Sequence, residues 1–144
     1  MNNLQGKKAI LYRRVSTTDQ KLNGHSLSTQ NNNLREFARN NGMNVVREYM
    51  EDFSAKNFNR PEFKRMEEYV KNNKGKVDYI LITNWDRFSR NIGDGLNVIY
   101  SMKALGVEIN CTESWIDYND PSHVLILSVY LAGPEVENKI KSQK

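Results

Sequence analysis

An apolar run of four residues, Ala9-Ile10-Leu11-Tyr12, is too short for a helix and stops at two arginines and a serine, Arg13-Arg14-Val15-Ser16. A second run, Tyr79-Ile80-Leu81-Ile82-Thr83, stops the same way, at Asp86-Arg87-Phe88-Ser89-Arg90. Short apolar runs of this kind are buried strands. Between and after them lie segments whose apolar residues recur at helical spacing. Leu27, Leu34, Phe37 and Ala38 follow a capping Ser26 and stop at Asn41-Gly42. Phe63, Met66, Tyr69 and Val70 follow Pro61, a residue suited to a first helical turn, and Ile92, Leu96, Ile99 and Met102 form the third set.

Two more strands are predicted, one around Val45, Val46, Tyr49 and Met50 and one over Val107 to Cys111, after Gly106. No period holds in the polar stretch Glu51 to Arg60. Alternation of strand and helix predicts an α/β fold, a three-layer, mostly parallel central sheet flanked by helices. In such sheets, active groups gather at the carboxyl ends of the strands. Both arginine clusters fall at such ends, which predicts one composite site.

Ser122 to Lys144 changes character. Val124-Leu125-Ile126-Leu127 and Val129-Tyr130-Leu131 are apolar nearly all round, and Pro134 then lacks the amide that would continue a helix. A helix that apolar is buried in its own domain or covered by another subunit. The expected division is therefore a catalytic α/β domain over 1–121 and a long C-terminal interface helix over 122–144.

At 144 residues the chain has the length of one domain. A formal charge of +4 and a pI near 9.2 favour polyanionic partners, though only mildly. Cys111 is the single cysteine, and His25 and His123 the only histidines, so neither an internal disulfide nor a zinc spacing exists; a reduced, cytoplasmic setting fits. The longest apolar stretch, Val124 to Ala132, is too short to span a bilayer.

Serine needs a base and a stabilised electrophile before it attacks, and neither histidine stands in a triad context. A phosphodiester fits better, because forked guanidiniums meet its nonbridging oxygens bidentately. Arg14, Arg87, Arg90 and Arg60 could supply that charge without a metal. Each residue also has a plainer reading: Ser16 and Asp86 as caps, Arg87 and Arg90 as a solvated helical face, Arg60 as a loop residue held extended by Pro61, Gln30 as a solvated helix residue, and Tyr12 as sheet packing.

Taken in order, Tyr12-Arg13-Arg14-Val15-Ser16-Thr17 with Gln20, Ser26-Leu27 and Gln30, then Asp52, Ser54 and Arg60-Pro61, then Asp86-Arg87-Phe88-Ser89-Arg90, closely resemble the catalytic domain of serine site-specific recombinases, the resolvase and invertase family. Gly24-His25-Ser26-Leu27 looks more like the large serine recombinases. The resemblance implies that Ser16 cuts DNA, leaving a 5′-phosphoserine link and a free 3′-hydroxyl, with no cofactor. It implies that Arg14, Arg60, Arg87 and Arg90 hold the scissile phosphate, that Asp86 is the acidic active-site residue, and that Tyr12, Gln30 and Ser54 support the pocket.

By the same resemblance, the terminal helix pairs subunits into dimers that assemble to a tetramer on double-stranded DNA. The chain would then stop before a DNA-recognition domain. Trp85 stands where the family has an aliphatic residue, Lys56 where it has glycine or a small residue, and the late glutamate is either Glu135 or Glu137. Other classes remain: a noncatalytic DNA- or partner-binding domain of the same fold, or a hydrolase of small phosphodiesters.

Overall fold

A computed structural model describes residues 3–15, 26–52, 60–89 and 92–131, without the side chains of residues 15, 26–32, 86, 87 and 92. In chain order the elements are β1 (Lys8–Val15), α1 (Ser26–Asn40), β2 (Asn44–Asp52), α2 (Pro61–Asn72), β3 (Tyr79–Ile82), α3 (Trp85–Phe88), α4 (Ile92–Ala104), β4 (Glu108–Cys111) and α5 (Pro121–Leu131). The strands form one parallel sheet in the order β2-β1-β3-β4. Gly42 and Gly106, at φ 66° and 82°, turn the chain out of α1 and α4 toward β2 and β4.

Alternation along the central strands divides the core into two layers. Ala9, Leu11 and Leu81 face α1, whose Leu34 and Ala38 close over them. Ile10, Tyr12, Ile80 and Ile82 face the other way, toward Phe63, Met66 and Val70 of α2, Ile99 and Met102 of α4, and Leu127 and Leu131 of α5. Ile10, Leu11, Ile80 and Leu81 are fully buried, as both-face burial of a parallel sheet requires. Helix, sheet and helix thus make the three expected layers.

The connections fix where a site can form. From β1 the chain runs through α1 to the neighbour on one side, β2; from β3 it runs through α4 to the neighbour on the other side, β4. Adjacent strands whose connections diverge leave a crevice between their carboxyl ends, the topological switch point of an open α/β sheet. Here it lies between the ends of β1 and β3.

Two boundaries differ from the sequence expectation. Strand β2 runs on through Glu51 and Asp52, past the expected strand and into the polar stretch where no period was read. The reason is pairing: Arg14 and Val15 of β1 register with Glu51 and Asp52 and extend the ladder. The second cluster begins with a single helical turn, α3, which ends where Ser89 is extended at φ −156° and ψ 142°. The helical turn that holds Asp86, Arg87 and Phe88 stops there.

Helix α5 packs Leu127 and Leu131 into the core but leaves Leu125, Ile126, Val129 and Tyr130 between 42% and 69% exposed. Its description ends at Leu131, so the predicted continuation, with Pro134, Glu135 and Glu137, lies outside the described residues. No helix among the described residues is long and apolar enough to cross a membrane.

Candidate active site

The switch point holds a cleft lined by Tyr12, Arg13 and Arg14 from β1 and by Ile82, Thr83, Asn84 and Phe88 from the end of β3 and α3. Strand periodicity explains the β1 contribution. Tyr12 and Arg14 are two apart and share the face toward α2, whereas the Arg13 side chain points to the α1 side and pairs with Glu48 at 2.9 Å. Glu48 is also gripped by Arg35 of α1 at 2.7 Å, so it ties α1 to the sheet edge.

Tyr12 is the hub. It is 2% exposed, and its ring meets Phe63 edge-on at a centroid distance of 5.4 Å. Its hydroxyl donates to Glu51 Oε1 at 3.2 Å. Burial first, then the Glu51 charge, push the phenol well above its ordinary value, while the Arg60 and Arg14 charges pull the other way. The hydroxyl therefore stays a donor, and it feels the charge of two cations from separate parts of the chain.

The position of Arg60 follows from how α2 starts. Pro61 supplies the first turn, and Arg60 sits at the N-cap without a side-chain cap of its own. The open amides of Glu62 and Phe63 instead donate to the Glu51 carboxylate at 3.2 and 3.1 Å. A carboxylate at a helix N-terminus satisfies the free N–H groups and opposes the positive end of the dipole. The Arg60 guanidinium lies over Phe88, 6.0 Å from the ring centroid, so α2 and α3 meet there. Trp85 anchors α3 through Nε1, which donates to the Ser114 carbonyl at 3.1 Å.

Three of the site residues named from the sequence, Tyr12, Arg14 and Arg60, are thus brought together. Asp86 and Arg87 belong to α3 at the rim and Gln30 to α1, but their side chains lie outside the described residues, as do Ser16, Ser54 and Arg90 entirely. Ser16 is one peptide bond past Val15, the last residue of β1. Sequence reasoning missed Glu51, which is 2% exposed. The signal was available: Arg47, Tyr49 and Glu51 continue one period of two, so Glu51 shares the inward face of Tyr49.

Residues 9–144 match the family model described as Resolvase, N terminal domain. The chain belongs to the resolvase family. A resolvase from Clostridium perfringens is 29% identical over 136 residues, and the match takes in 92% of this chain and 65% of that protein, so the chain spans less than two thirds of that relative. Among solved structures, a resolvase family site-specific recombinase from Streptococcus pneumoniae is 33% identical, with a TM-score of 0.70 over 95% of this chain and 93% of that one. The N-terminal catalytic domain of TP901-1 integrase is 26% identical, with a TM-score of 0.68 over 93% and 98%. The resolvase-family fold is the expected α/β arrangement, shared with the catalytic domains of serine recombinases.

Proposed function

We infer that this domain cuts and rejoins DNA at specific sites, with Ser16 as the nucleophile. The observation that carries the reading is that Arg14 lines the switch-point cleft two residues before Ser16, while the Arg60 guanidinium lies over Phe88, which lines the same cleft. Guanidiniums grouped in a partly dehydrated cleft stabilise the charge that gathers on a phosphodiester's nonbridging oxygens as it is attacked. Arg87 and Arg90, which follow β3 in sequence, complete the set in this reading.

In the reaction, the Ser16 Oγ–phosphorus bond forms and the bond from phosphorus to the 3′ oxygen breaks. The serine proton is lost, and the departing 3′ oxygen gains one, with Asp86 the acid within the cluster suited to exchange it. One phosphodiester is replaced by another, so attack by a 3′-hydroxyl on the phosphoserine restores the DNA backbone. The charge comes from arginines, and the reading asks for neither metal nor high-energy cofactor. Gln30 and Ser54 support the pocket.

The exposed apolar face of α5, with Leu125, Ile126, Val129 and Tyr130, pairs two copies, and dimers assemble to a tetramer for strand exchange. The activity belongs in the cytoplasm, where the DNA is. The test is end mapping of DNA cut at the recombination site by the full-length protein. The 3′ ends must be extendable by a polymerase, and the 5′ ends must resist exonuclease until protease has removed the attached protein.

A further inference from the structure

Thr83 is only 9% exposed, yet its Oγ1 has no hydrogen-bond partner among the described residues, and neither has Oδ1 of the adjacent Asn84. Both residues line the cleft with Tyr12, Arg14 and Phe88. A buried polar atom left unsatisfied weakens a fold, and valine would fill the same space without that penalty. The backbone here cannot adjust: the Thr83 carbonyl accepts from Cys111 Sγ at 2.7 Å, and the Ile82 carbonyl accepts from Thr112 N at 2.9 Å. The β-branched side chain is itself restricted in χ1. A hydroxyl held at a fixed point in a cleft, at the end of an otherwise apolar strand and without a partner among the described residues, is placed to meet a group that enters from outside.

The partner's chemistry follows from the surroundings. The cleft interior is about 10 Å³, room for one oxygen-sized group. Arg14 lines it and the Arg60 guanidinium lies over Phe88, another lining residue, so the oxygen it attracts is anionic. Threonine can donate its O–H to such an oxygen, and the Asn84 amide, turned over, offers two N–H donors to the same place. We propose that Thr83, assisted by Asn84, is a phosphate-binding residue whose hydroxyl donates to a nonbridging oxygen of the phosphodiester gripped by Arg14 and Arg60. This rests on the reading of the cleft as a phosphodiester site and adds two neutral donors to its arginines.

The probe is inorganic phosphate, titrated into the 144-residue chain and its Thr83→Val, Thr83→Ser and Asn84→Ala variants, followed by amide NMR shifts, with chloride at matched ionic strength as the control. Thr83→Val is expected to melt at or above the wild-type temperature and to bind phosphate about tenfold more weakly, the loss of one charge-assisted hydrogen bond. Thr83→Ser is expected to bind within about threefold of wild type, because it keeps the hydroxyl. Asn84→Ala, which leaves Thr83 untouched, is expected to lose about threefold.

Equal phosphate affinity in wild type and Thr83→Val would overturn the assignment, as would absence of phosphate binding by the wild type. Equal weakening in the serine and valine variants would point to side-chain volume and overturn it too. Phosphate binding that needs Thr83, in a protein that forms no DNA adduct, would refute the recombinase reading alone. An adduct with no dependence of phosphate binding on Thr83 would refute this proposal alone.

Discussion

The Tyr12 hydroxyl donates to the Glu51 carboxylate at 3.2 Å, and the same carboxylate accepts the first free amides of α2, so one buried side chain joins β1, β2 and the helix that follows Arg60. The two residues lie 39 apart in sequence. Arg60 is positioned by this joint rather than by any cap of its own.

Removing each half of the joint has a different cost. Tyr12→Phe keeps the ring packing and loses one hydrogen bond, a loss of about 1 kcal/mol. Glu51→Ala leaves the Tyr12 hydroxyl and two helix amides without their acceptor, a loss of about 2–4 kcal/mol. Urea denaturation at neutral pH measures both. A Tyr12→Phe loss equal to that of Glu51→Ala would contradict this ordering.

How much of this was legible in sequence depends on whether a residue's environment is local. The strands and main helices were legible because their apolar spacing is written in adjacent residues, whereas the divergence at β1 and β3 depends on α1 and α4 covering opposite faces of the sheet, which no local spacing records. The inward face of Glu51 could be read from the period it shares with Tyr49, but its role could not, because that arises from partners at positions 12, 62 and 63. The lone turn α3 was hidden because four residues carry too little period to identify. Thr83 reads as the tail of an apolar run, and only the cleft shows that its hydroxyl has no partner among the described residues.

Acid should act on the α1 side of the sheet through Glu48. Hydrogen bonds from Arg35 first, then the charge of Arg13, hold its carboxyl below the usual carboxylate range despite partial burial. A carboxyl whose folded value is depressed stabilises the protein above its unfolded value and loses that contribution as pH falls through the folded value. Wild type should therefore melt a few degrees above Glu48→Gln at pH 7, and the gap should close as pH is lowered below about 4. Thermal melts from pH 7 down into the acid range test it, and a gap that does not narrow as pH falls below the usual carboxylate range would contradict it.

Gly95 lies in α4 where α5 crosses closely. A Cβ there would come within 3.1 Å of Leu131 Cδ1 and 3.2 Å of Ser89 Cβ. Alanine is the better helix former by about 1 kcal/mol, but overpacking costs about 1–3 kcal/mol. Gly95→Ala should lower stability by about 1 kcal/mol, measured by urea denaturation; a gain would show that α5 is free to shift outward.

The exposed face of α5 gives a separable test of self-association. Leu125→Glu with Val129→Glu places charge at positions 69% and 56% exposed, away from Leu127 and Leu131 in the core. Sedimentation should show the full-length protein shifting toward monomer, with thermal stability of the monomer changed by no more than a few degrees. Unchanged association would place the contact elsewhere.

The nucleophile itself is the most direct measurement. Full-length wild-type protein, incubated with a nicked or mismatched recombination site, should trap a DNA adduct that survives denaturant, and Ser16→Ala should trap none while melting as wild type does. An adduct that persists in Ser16→Ala would contradict the assignment of Ser16 as the group that cuts DNA.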